Sequence, residues 1–301
     1  MKVVHIANVP LMEITHAREG SLSYHRMLEG RPGDPGNFVL TVSKLSPEYK
    51  APRHKHNFDQ FRVRLTGEYD YSADGVMSEG GLGYFPEGTP YGPTADKTGT
   101  GGYGLLCQFG GSSGHGFMSH DELSNQVVEL KKRGEFKSGV FTAFDADGKK
   151  YNQDSYEASW ENWAKRRIEY AKPRFAKPVF MEPENFDWRA SKAESGVEHK
   201  HLGTFNERNT RIGMLRVRPG ASAALDERSI YFVMSGKGEC RGETCIKYSA
   251  IWIDQGEQGL ITAADSMEII HLGLPDLSDF AQAPKRSESA AAPKMAAVMS
   301  A

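Results

Sequence analysis

The residues with the clearest capacity for chemistry are His54 and His56, followed four residues later by Gln60. Two histidines at positions i and i+2 of a strand point their imidazole rings to the same face, because strand side chains alternate with period two. A third polar side chain can then converge on the same point from the strand that follows. The spacing predicts a metal-binding pocket in a small β-barrel, with Gln60 where a carboxylate would be the usual third ligand.

Two arginines follow Gln60 on the same predicted strand. Strict alternation places Arg62 and Arg64 on the face of Gln60. Phe61 and Val63 then take the opposite face. If the first face lines a barrel, the guanidinium groups need carboxylate partners or an anionic ligand, because a buried unpaired cation is very costly. We therefore consider a carboxylate-bearing or enolizable substrate held by Arg62 or Arg64; the alternative is that both form ion pairs at the surface or at an interface.

Short β-rich runs, separated by Gly, Pro and Asp turns, make up most of the chain of 301 residues. The clearest predicted strands are 38–42, 60–66, 102–109 and 230–234. Such short and regular strands are typical of a sandwich or a barrel.

Two segments have helical patterns instead. Residues 121–130 predict a helix that ends at Gly134, and residues 155–171 predict a second helix that is stopped by Pro173. Between them, residues 140–144 followed by Asp147-Gly148 predict a hairpin.

These elements divide the chain into four parts. We predict an N-terminal barrel at 1–120, a helical connector with a hairpin at 121–177, and a C-terminal barrel at 178–280. Residues 281–301 are rich in Ala, Ser, Pro and Lys and have too little bulky apolar content to fold alone, so we predict a disordered tail.

The motif residues resemble those of the cupin superfamily, whose members form small double-sheet jelly-roll barrels. The first cupin motif is a glycine, five residues, His-x-His, three or four residues, Glu, six residues and Gly. This chain has His54, His56, Gln60 and Gly67 at that spacing, with Pro47 rather than glycine leading it.

The second cupin motif is Gly, five residues, Pro-x-Gly, two residues and His. Gly80, Pro86 and Gly88 match it, and Tyr91 stands where the histidine would be. Agreement with both motifs implies an all-β fold with two double-stranded β-helix barrels, a bicupin, joined by the helical connector.

The second barrel resembles the first in architecture but not in its ligand positions. Residues 231–238 look like the strand and turn that close the first motif. Counting back from Gly236 puts Ser229 at the glutamate position, and Ala223 and Leu225 at the histidine positions. Gly259 stands at the last histidine position, so the resemblance implies a degenerate second barrel and a single candidate site in the first.

The resemblance implies a site of three His and one Glu around a divalent metal such as Fe, Mn, Zn or Ni, and this chain departs from it twice. Gln60 removes a negative charge that a cation would feel strongly. Tyr91 binds a metal well only as phenolate, and its ordinary pKa of about 10 makes that costly. Either His54, His56 and Gln60 hold a metal weakly, with Tyr91 or another histidine, or these groups act without metal as acid, base and hydrogen-bond donors.

Other histidines could complete the set. His115 and His120 follow the last strand of the first barrel in a glycine-rich segment, although loop histidines are more often ordinary surface residues. His199 and His201 form a second His-x-His pair, but beside Glu198 and Lys200 we expect a solvated segment.

The leading functional hypothesis is a metal-dependent dioxygenase, or an enzyme that cleaves carbon–carbon bonds, acting on a carbonyl or aromatic compound. In it Tyr91 is a general acid or a ligand. The aromatic residues of the first barrel favour a ring-bearing or conjugated substrate, although such residues usually form core; they are Tyr69, Tyr71, Tyr84, Phe85, Tyr91 and Tyr103. The alternatives are a metal-free isomerase, cyclase or lyase, in which His54 or His56 is the base and Tyr91 the acid, and a binding protein without turnover.

The overall composition disfavours several other classes of function. The formal net charge of −2 and the pI near 6.6 give no basic surface for nucleic acid. No apolar run has the length of a membrane span, no signal segment leads the chain, and the three cysteines form no disulfide framework. We therefore expect a cytoplasmic protein with a small-molecule substrate. Monomer and homodimer both stay open, since the two barrels of one chain can pair internally.

Overall fold

The structure, a computed structural model, describes residues 1–15, 21–47, 49–96, 99, 101–137 and 139–280. Its strands up to the connector are β1 (Lys2–His5), β2 (Leu11–Thr15), β3 (Ser21–Glu29), β4 (Phe38–Leu45), β5 (Lys50–Ala51), β6 (Asp59–Arg64), β7 (Tyr69–Asp70), β8 (Val76–Met77), β9 (Leu82–Phe85), β10 (Thr94–Ala95) and β11 (Tyr103–Phe109). The connector contains β12 (Gly134–Lys137), β13 (Val140–Phe144) and β14 (Lys150–Asp154). The remaining strands are β15 (Val179–Met181), β16 (Arg189–Ala190), β17 (Val197–Thr204), β18 (Arg211–Val217), β19 (Ser222–Leu225), β20 (Ser229–Ser235), β21 (Lys237–Cys240), β22 (Glu243–Ile246), β23 (Ser249–Ile253), β24 (Gly259–Ala263) and β25 (Met267–Gly273).

Helices are few by comparison. The α-helices are α1 (His120–Leu130) and α2 (Ser155–Ala164), and short 3-10 helices lie at Ile6–Asn8, Ser72–Asp74 and Pro183–Asn185. Within the described ranges, no helix combines the length and the apolar character that crossing a membrane requires.

The first barrel consists of two sheets with antiparallel neighbours. The larger has the strand order β15-β9-β6-β11-β4-β3-β2, and the smaller has the order β5-β10-β7-β8. β6, which carries the candidate site residues, lies near the centre of the larger sheet between β9 and β11. A central position fixes its register on both sides and therefore fixes which side chains face inward.

The second barrel repeats this order strand by strand. Its larger sheet is β1-β23-β20-β25-β18-β17-β16, and its smaller sheet is β19-β24-β21-β22. β20 therefore occupies the place in the second barrel that β6 occupies in the first. The predicted all-β fold of two jelly-roll barrels is confirmed.

One edge strand of each large sheet comes from the part of the chain that forms the other barrel. β1 pairs with β23 of the second barrel, with Lys2 opposite Trp252, and β15 pairs with β9 of the first, with Val179 opposite Tyr84. The division at 1–120, 121–177 and 178–280 stays a prediction, and these two strands cross it. The predicted disordered tail, 281–301, lies outside the described residues.

The two large sheets pack face to face through one apolar core. Leu40, Val42, Phe61, Val63, Leu105, Cys107 and Phe109 contribute from the first barrel, and Ile212, Ile230, Phe232, Ile270 and Leu272 from the second. Phe61 and Val63 thus take the face of β6 opposite to Gln60, as predicted. The Gln60 face consequently points into the first barrel rather than towards the second.

The connector confirms the first predicted helix and the hairpin but not the full second helix. α1 begins with a capping box, in which Ser119 and Glu122 satisfy each other's backbone N–H groups. β13 and β14 form the predicted hairpin, and β12 adds a third strand.

The prediction that the second helix continues to residue 171 is wrong. α2 ends at Ala164, because Lys165 adopts a left-handed conformation with φ of 56°. The Glu161 carboxylate then accepts hydrogen bonds from Ile168 N (3.1 Å) and Arg167 Nη1 (3.0 Å), which turn the chain back. Tertiary contacts of this kind are not visible in a helical pattern.

Candidate active site in the first barrel

The two motif segments lie side by side at the first barrel. His54 N donates to Tyr91 O (3.0 Å) and Tyr91 N donates to His54 O (2.9 Å). Gly88 N donates to His56 O (2.8 Å). Gly88 has a φ of 74°, and a Cβ there would lie 2.0 Å from Ala171 O, so this close approach requires glycine. The pairing brings residues from two distant segments into one cluster.

The connector packs on the same segment. Tyr156 Oη donates to Asn57 Oδ1 (2.9 Å), and Lys55 Nζ lies 4.2 Å from the centroid of the Tyr170 ring. Asn57 is fully buried. The connector therefore helps to fix the position of His56 between Lys55 and Asn57.

The centre of the cluster is the phenol oxygen of Tyr91. It lies 3.0 Å from His56 Nε2, 3.2 Å from Gln60 Nε2 and 2.8 Å from Arg62 Nη2. Tyr91 and Gln60 are buried, whereas His56 and Arg62 keep part of their surface exposed. His56 and Arg62 are thus the members of the cluster that solvent contacts.

The chemistry of the partners fixes the direction of these hydrogen bonds. Gln60 Nε2 and Arg62 Nη2 can only donate, so Tyr91 Oη accepts from both. The phenol proton of Tyr91 is then available to His56 Nε2, which accepts it in the neutral tautomer that carries its proton on Nδ1. In that tautomer Tyr91 is the proton donor of His56.

Gln60 and Arg62 hold each other in place. Gln60 Oε1 accepts from Arg62 Nε (3.2 Å) and Nη2 (2.8 Å), which also fixes the orientation of the amide. Arg62 Nη1 donates to Tyr71 Oη (3.1 Å). The guanidinium is thereby oriented by three neutral oxygen acceptors.

Aromatic rings surround this guanidinium. Arg62 Cζ lies 4.5 Å from the centroid of Phe85, 5.1 Å from that of Tyr91 and 5.8 Å from that of Tyr71. Gly83, the neighbour of Arg62 on β9, leaves room for the Phe85 ring, since a Cβ there would lie 2.8 Å from it. Cation–π contacts partly offset the loss of water around the charge.

The protonation states follow from burial and from the Arg62 charge. Burial raises the pKa of Tyr91, although Arg62 and the hydrogen bond from Gln60 act against this rise. Burial acts to lower the pKa of Arg62, but the phenol oxygens of Tyr91 and Tyr71 outweigh it and the pKa is raised. The resting cluster therefore contains a neutral phenol and a charged guanidinium.

Asp59, adjacent to Gln60 in the chain, belongs to a different network on the opposite face of β6. Its carboxylate accepts from Tyr84 Oη (2.9 Å) and from Glu87 N (2.7 Å). Burial and the nearby Glu87 raise the pKa of Asp59 to about 7. This carboxylate does not contact Arg62.

The predicted catalytic residue Arg64 does not join the cluster. Its Nη2 donates to Thr66 O (2.7 Å), and its Cζ lies 4.1 Å from the centroid of the Tyr69 ring. Burial lowers the pKa of Arg64, and its Nε has no hydrogen-bond partner among the described residues. The structure brings Arg62, but not Arg64, to Tyr91.

His54 lies beside the cluster. Its Nδ1 donates to Pro52 O (2.7 Å), and its ring centroid lies 4.6 Å from that of Tyr91 and 4.8 Å from that of His56. The predicted metal ligands His54, His56 and Gln60 are thus neighbours.

These donors do not fit a divalent metal in the observed arrangement. The oxygens of Gln60 and Tyr91 direct their lone pairs to the Arg62 guanidinium, and a second cation there would be repelled by it. Within the described part of the chain, no group of three His, Cys, Asp or Glu side chains is placed to hold a metal. The metal assignment of His54, His56 and Gln60 remains a prediction.

The additional histidines considered from the sequence lie elsewhere. His115 Nδ1 donates to Glu169 O (3.0 Å), and His120 begins α1 with its ring 5.9 Å from that of Tyr24. His199 and His201 lie on β17, where His201 is exposed and His199 partly so. With His271 they border a cleft of about 180 Å³ at the second barrel.

Sequence reasoning missed two functions of the aromatic residues and two residues of β11. Tyr71 and Phe85 were considered as core residues or as contacts for a ring-bearing substrate, and both contact Arg62. Leu106 and Gln108 lie opposite Arg62 and Gln60 on β11 and are partly exposed. The period-two pattern of β11 could have found them once its pairing with β6 was known.

Comparison with solved structures identifies the fold. A Nostoc punctiforme protein named a "putative dioxygenase" matches with a TM-score of 0.59 at 12% identity, over 94% of this chain and 87% of that one. Bacillus subtilis oxalate decarboxylase, as a mutant lacking residues 162–163, matches with a TM-score of 0.51 at 14% identity, over 91% of this chain and 77% of that one. A structure of the same enzyme concerned with its Mn(II) centres gives the same values.

The chain has the two-barrel cupin fold. At 12% and 14% sequence identity, the similarity to these solved structures shows a shared fold and does not show a shared activity. No protein-family model matches the sequence, and no curated protein matches it. Function must therefore be argued from the cluster around Tyr91.

Proposed function

We propose that this bicupin is a small-molecule enzyme of the cupin superfamily and that it transfers protons in the first barrel. One observation carries the proposal. The Tyr91 phenol oxygen lies 3.0 Å from His56 Nε2 while it accepts hydrogen bonds from Arg62 and Gln60. Such an arrangement is suited to general acid–base catalysis, because the proton has a defined path and the resulting phenolate has two donors.

The two members of the proton pair have different tasks. His56 is partly exposed and is the member that contacts the substrate, whereas buried Tyr91 supplies a proton to His56 or takes one from it. When Tyr91 gives up its proton, Arg62 Nη2 and Gln60 Nε2 already point at the oxygen that becomes negative. The charge moves next to a fixed cation, so little reorganisation accompanies the transfer.

The reaction class that fits is redox-neutral chemistry next to a carbonyl group, as in an isomerase, a cyclase or a lyase. With Nε2 accepting from Tyr91, His56 carries its own proton on Nδ1, so the pair gives that proton to the carbon of an enol or enolate while Nε2 takes the phenol proton of Tyr91. In the reverse direction His56 removes a proton from the carbon beside a carbonyl while Nε2 returns its proton to the Tyr91 phenolate, so atoms and charge balance. Arg62 stabilises the negative enolate oxygen.

Exchange of carbon-bound hydrogen with deuterated solvent tests this proposal. We expect the protein to accelerate exchange in a panel of small carbonyl compounds followed by proton NMR. His56→Asn and Tyr91→Phe should each slow the catalysed exchange by about 10²- to 10⁴-fold. His199→Asn, which changes a partly exposed histidine of the second barrel, is the matched control and should leave the rate unchanged. Binding of carbonyl compounds without any exchange would contradict the proposal and support a binding protein without turnover.

A second candidate is a metal-dependent dioxygenase or carbon–carbon bond-cleaving enzyme that acts on a carbonyl or aromatic compound. It is supported by the names of the proteins that share the fold, a dioxygenase and an Mn-containing oxalate decarboxylase. His54, His56 and Gln60 would be the ligands, after Arg62 had moved from Gln60.

Metal content and oxygen consumption test this second candidate. Protein purified without a polyhistidine tag should contain stoichiometric Fe, Mn, Zn or Ni, which His54→Ala should remove. Oxygen uptake with β-diketones and catechols should then depend on that metal. A metal-free protein that cannot be reconstituted would rule it out.

We also propose that the second barrel is degenerate and purely structural. Its residues at the motif positions, Ala223, Leu225 and Ser229, are buried and offer no imidazole or carboxylate. The division at 1–120, 121–177 and 178–280 and a cytoplasmic location belong to the same proposal. Buried free thiols at Cys107, Cys240 and Cys245 agree with a reducing compartment.

A further inference from the structure

The positive charge of Arg62 has no negative partner among the described residues. Its hydrogen-bond acceptors are the amide oxygen of Gln60 and the phenol oxygens of Tyr71 and Tyr91, all of them neutral. The carboxylate of Asp59, three residues before Arg62, faces the other side of β6 and accepts from Tyr84. A charge that is partly withdrawn from water without a counter-ion is costly, and an anionic ligand would supply the missing partner.

One N–H group of the Arg62 guanidinium has no hydrogen-bond acceptor among the described residues. A guanidinium has five N–H groups. Arg62 Nε and one N–H of Nη2 go to Gln60, the second N–H of Nη2 goes to Tyr91, and one N–H of Nη1 goes to Tyr71. The second N–H of Nη1 has no acceptor in the described part of the chain, so a ligand oxygen can take it.

Part of the site is exposed to solvent. Arg62 is partly exposed, and so are its neighbours Leu106 and Gln108 on β11. His56, which is bonded to the same Tyr91 oxygen as Arg62, is partly exposed as well. An anionic group at Arg62 therefore places the rest of a small molecule beside the His56–Tyr91 pair.

We infer that Arg62 binds the carboxylate of a small monocarboxylic acid and that this acid is the substrate of the first barrel. The inference rests on the proposed function, because it names the substrate class of the same site. A single carboxylate matches Arg62, the one cation of this cluster among the described residues, since Arg64 is hydrogen-bonded to Thr66 and packed on Tyr69. The reactive carbon of the acid would lie next to its carboxylate, within reach of His56.

Ligand pairs that differ in charge but not in shape test this inference on the unaltered protein. Acetate, pyruvate and benzoate would be titrated by calorimetry against acetamide, pyruvamide and benzamide. We expect at least one acid to bind at least ~30-fold more tightly than its amide, the lower end of the loss seen when one partner of a buried charge pair is removed. Equal affinity for every acid and its amide would overturn the inference.

Variants then show whether Arg62 is the cation responsible. Arg62→Gln should weaken acid binding by at least ~30-fold and leave amide binding unchanged, while Arg62→Lys should keep most of the preference. Arg64→Gln is the matched control on the same face of β6, and its acid binding should equal that of the unaltered protein. Loss of the preference in Arg64→Gln alone would overturn the inference. If Arg62→Gln does not fold, the acid–amide pairs on the unaltered protein and Arg62→Lys decide the question.

The binding measurements and the deuterium-exchange measurements can fail independently of each other. Arg62-dependent binding of an acid without solvent-deuterium exchange would support the ligand class and contradict the proton-transfer chemistry. Exchange that is confined to neutral carbonyl compounds would support the chemistry and overturn the ligand class.

Discussion

The two barrels share one strand order but differ in the side chains that face inward on their central strands, β6 and β20. In the first, the inward face of β6 carries Gln60, Arg62 and Arg64, and Arg62 is partly exposed. In the second, the inward face of β20 begins with Ser229 and continues with Tyr231 and Val233, which belong to a fully buried apolar core. The same sheet order thus supports a central strand whose inward face is polar and partly exposed, and one whose inward face is apolar and buried beyond Ser229.

The outward faces of the same two strands are alike for a simple reason. Phe61 and Val63 on β6, and Ile230 and Phe232 on β20, meet in the core between the large sheets. Both strands bury this face, so both carry apolar side chains on it. Only the inward face is left to differ.

Exchanging residues between the interiors should produce the largest effect. Val233→Arg places a cation in a fully buried apolar site, and we expect it to lower the free energy of unfolding by ~4 kcal/mol or more, or to prevent folding. The reciprocal change, Arg64→Met, removes a buried charge whose Nε has no partner among the described residues, so it should change stability by no more than ~1 kcal/mol. Urea denaturation measures both. A tolerated arginine at Val233 would contradict the contrast between the barrels.

Substitutions that remove an inward-facing side chain should also destabilise the second barrel more than the first. The difference between the barrels should be smaller than for the charged substitutions. Ile269→Ala in the second barrel removes a fully buried side chain and should cost about 2–5 kcal/mol. Leu106→Ala, on the corresponding strand of the first barrel, removes a partly exposed side chain and should cost about 1 kcal/mol. Equal losses in thermal or chemical unfolding would show that the first barrel is as tightly filled as the second.

The smallest expected effect is a change in the pH dependence of stability. It concerns Asp59, which begins β6 on its outward face, and Arg228, which precedes β20. The pKa of Asp59 is raised to about 7 from an unfolded value of about 3.8. Between these values the folded state binds more protons than the unfolded state, so this residue makes stability fall as pH rises from about 4 to 7. The slope contributed is at most ~1.4 kcal/mol per pH unit.

Asp59→Asn should remove that slope. The measurement is the free energy of unfolding of both proteins at pH 4 to 8. Arg228→Gln serves as control and should keep the slope, since Arg228 pairs with partly exposed Asp276. An unchanged slope in Asp59→Asn would show that the carboxyl is not the group responsible.

The sequence predicted the face of β6 correctly because strand alternation is a local rule. Placing Arg62 with Gln60, and Phe61 with Val63 opposite, required only the period of a strand. The motif spacing likewise predicted two barrels, and the pairing of His54 with Tyr91 shows that both motifs lie together. The end of α2 was predicted wrongly, because the left-handed Lys165 and the Glu161 contacts depend on packing around the connector.

The sequence by itself determined the fold class and brought His56, Gln60, Arg62 and Tyr91 into one list of candidates. It could not separate Arg62 from Arg64, since both obey the same alternation. Only the tertiary structure decided that Arg62 lies among Gln60, Tyr71 and Tyr91 while Arg64 turns to Thr66. The physical reason is that alternation assigns a face, whereas the partners available to a charge on that face depend on which other strands close the barrel above it.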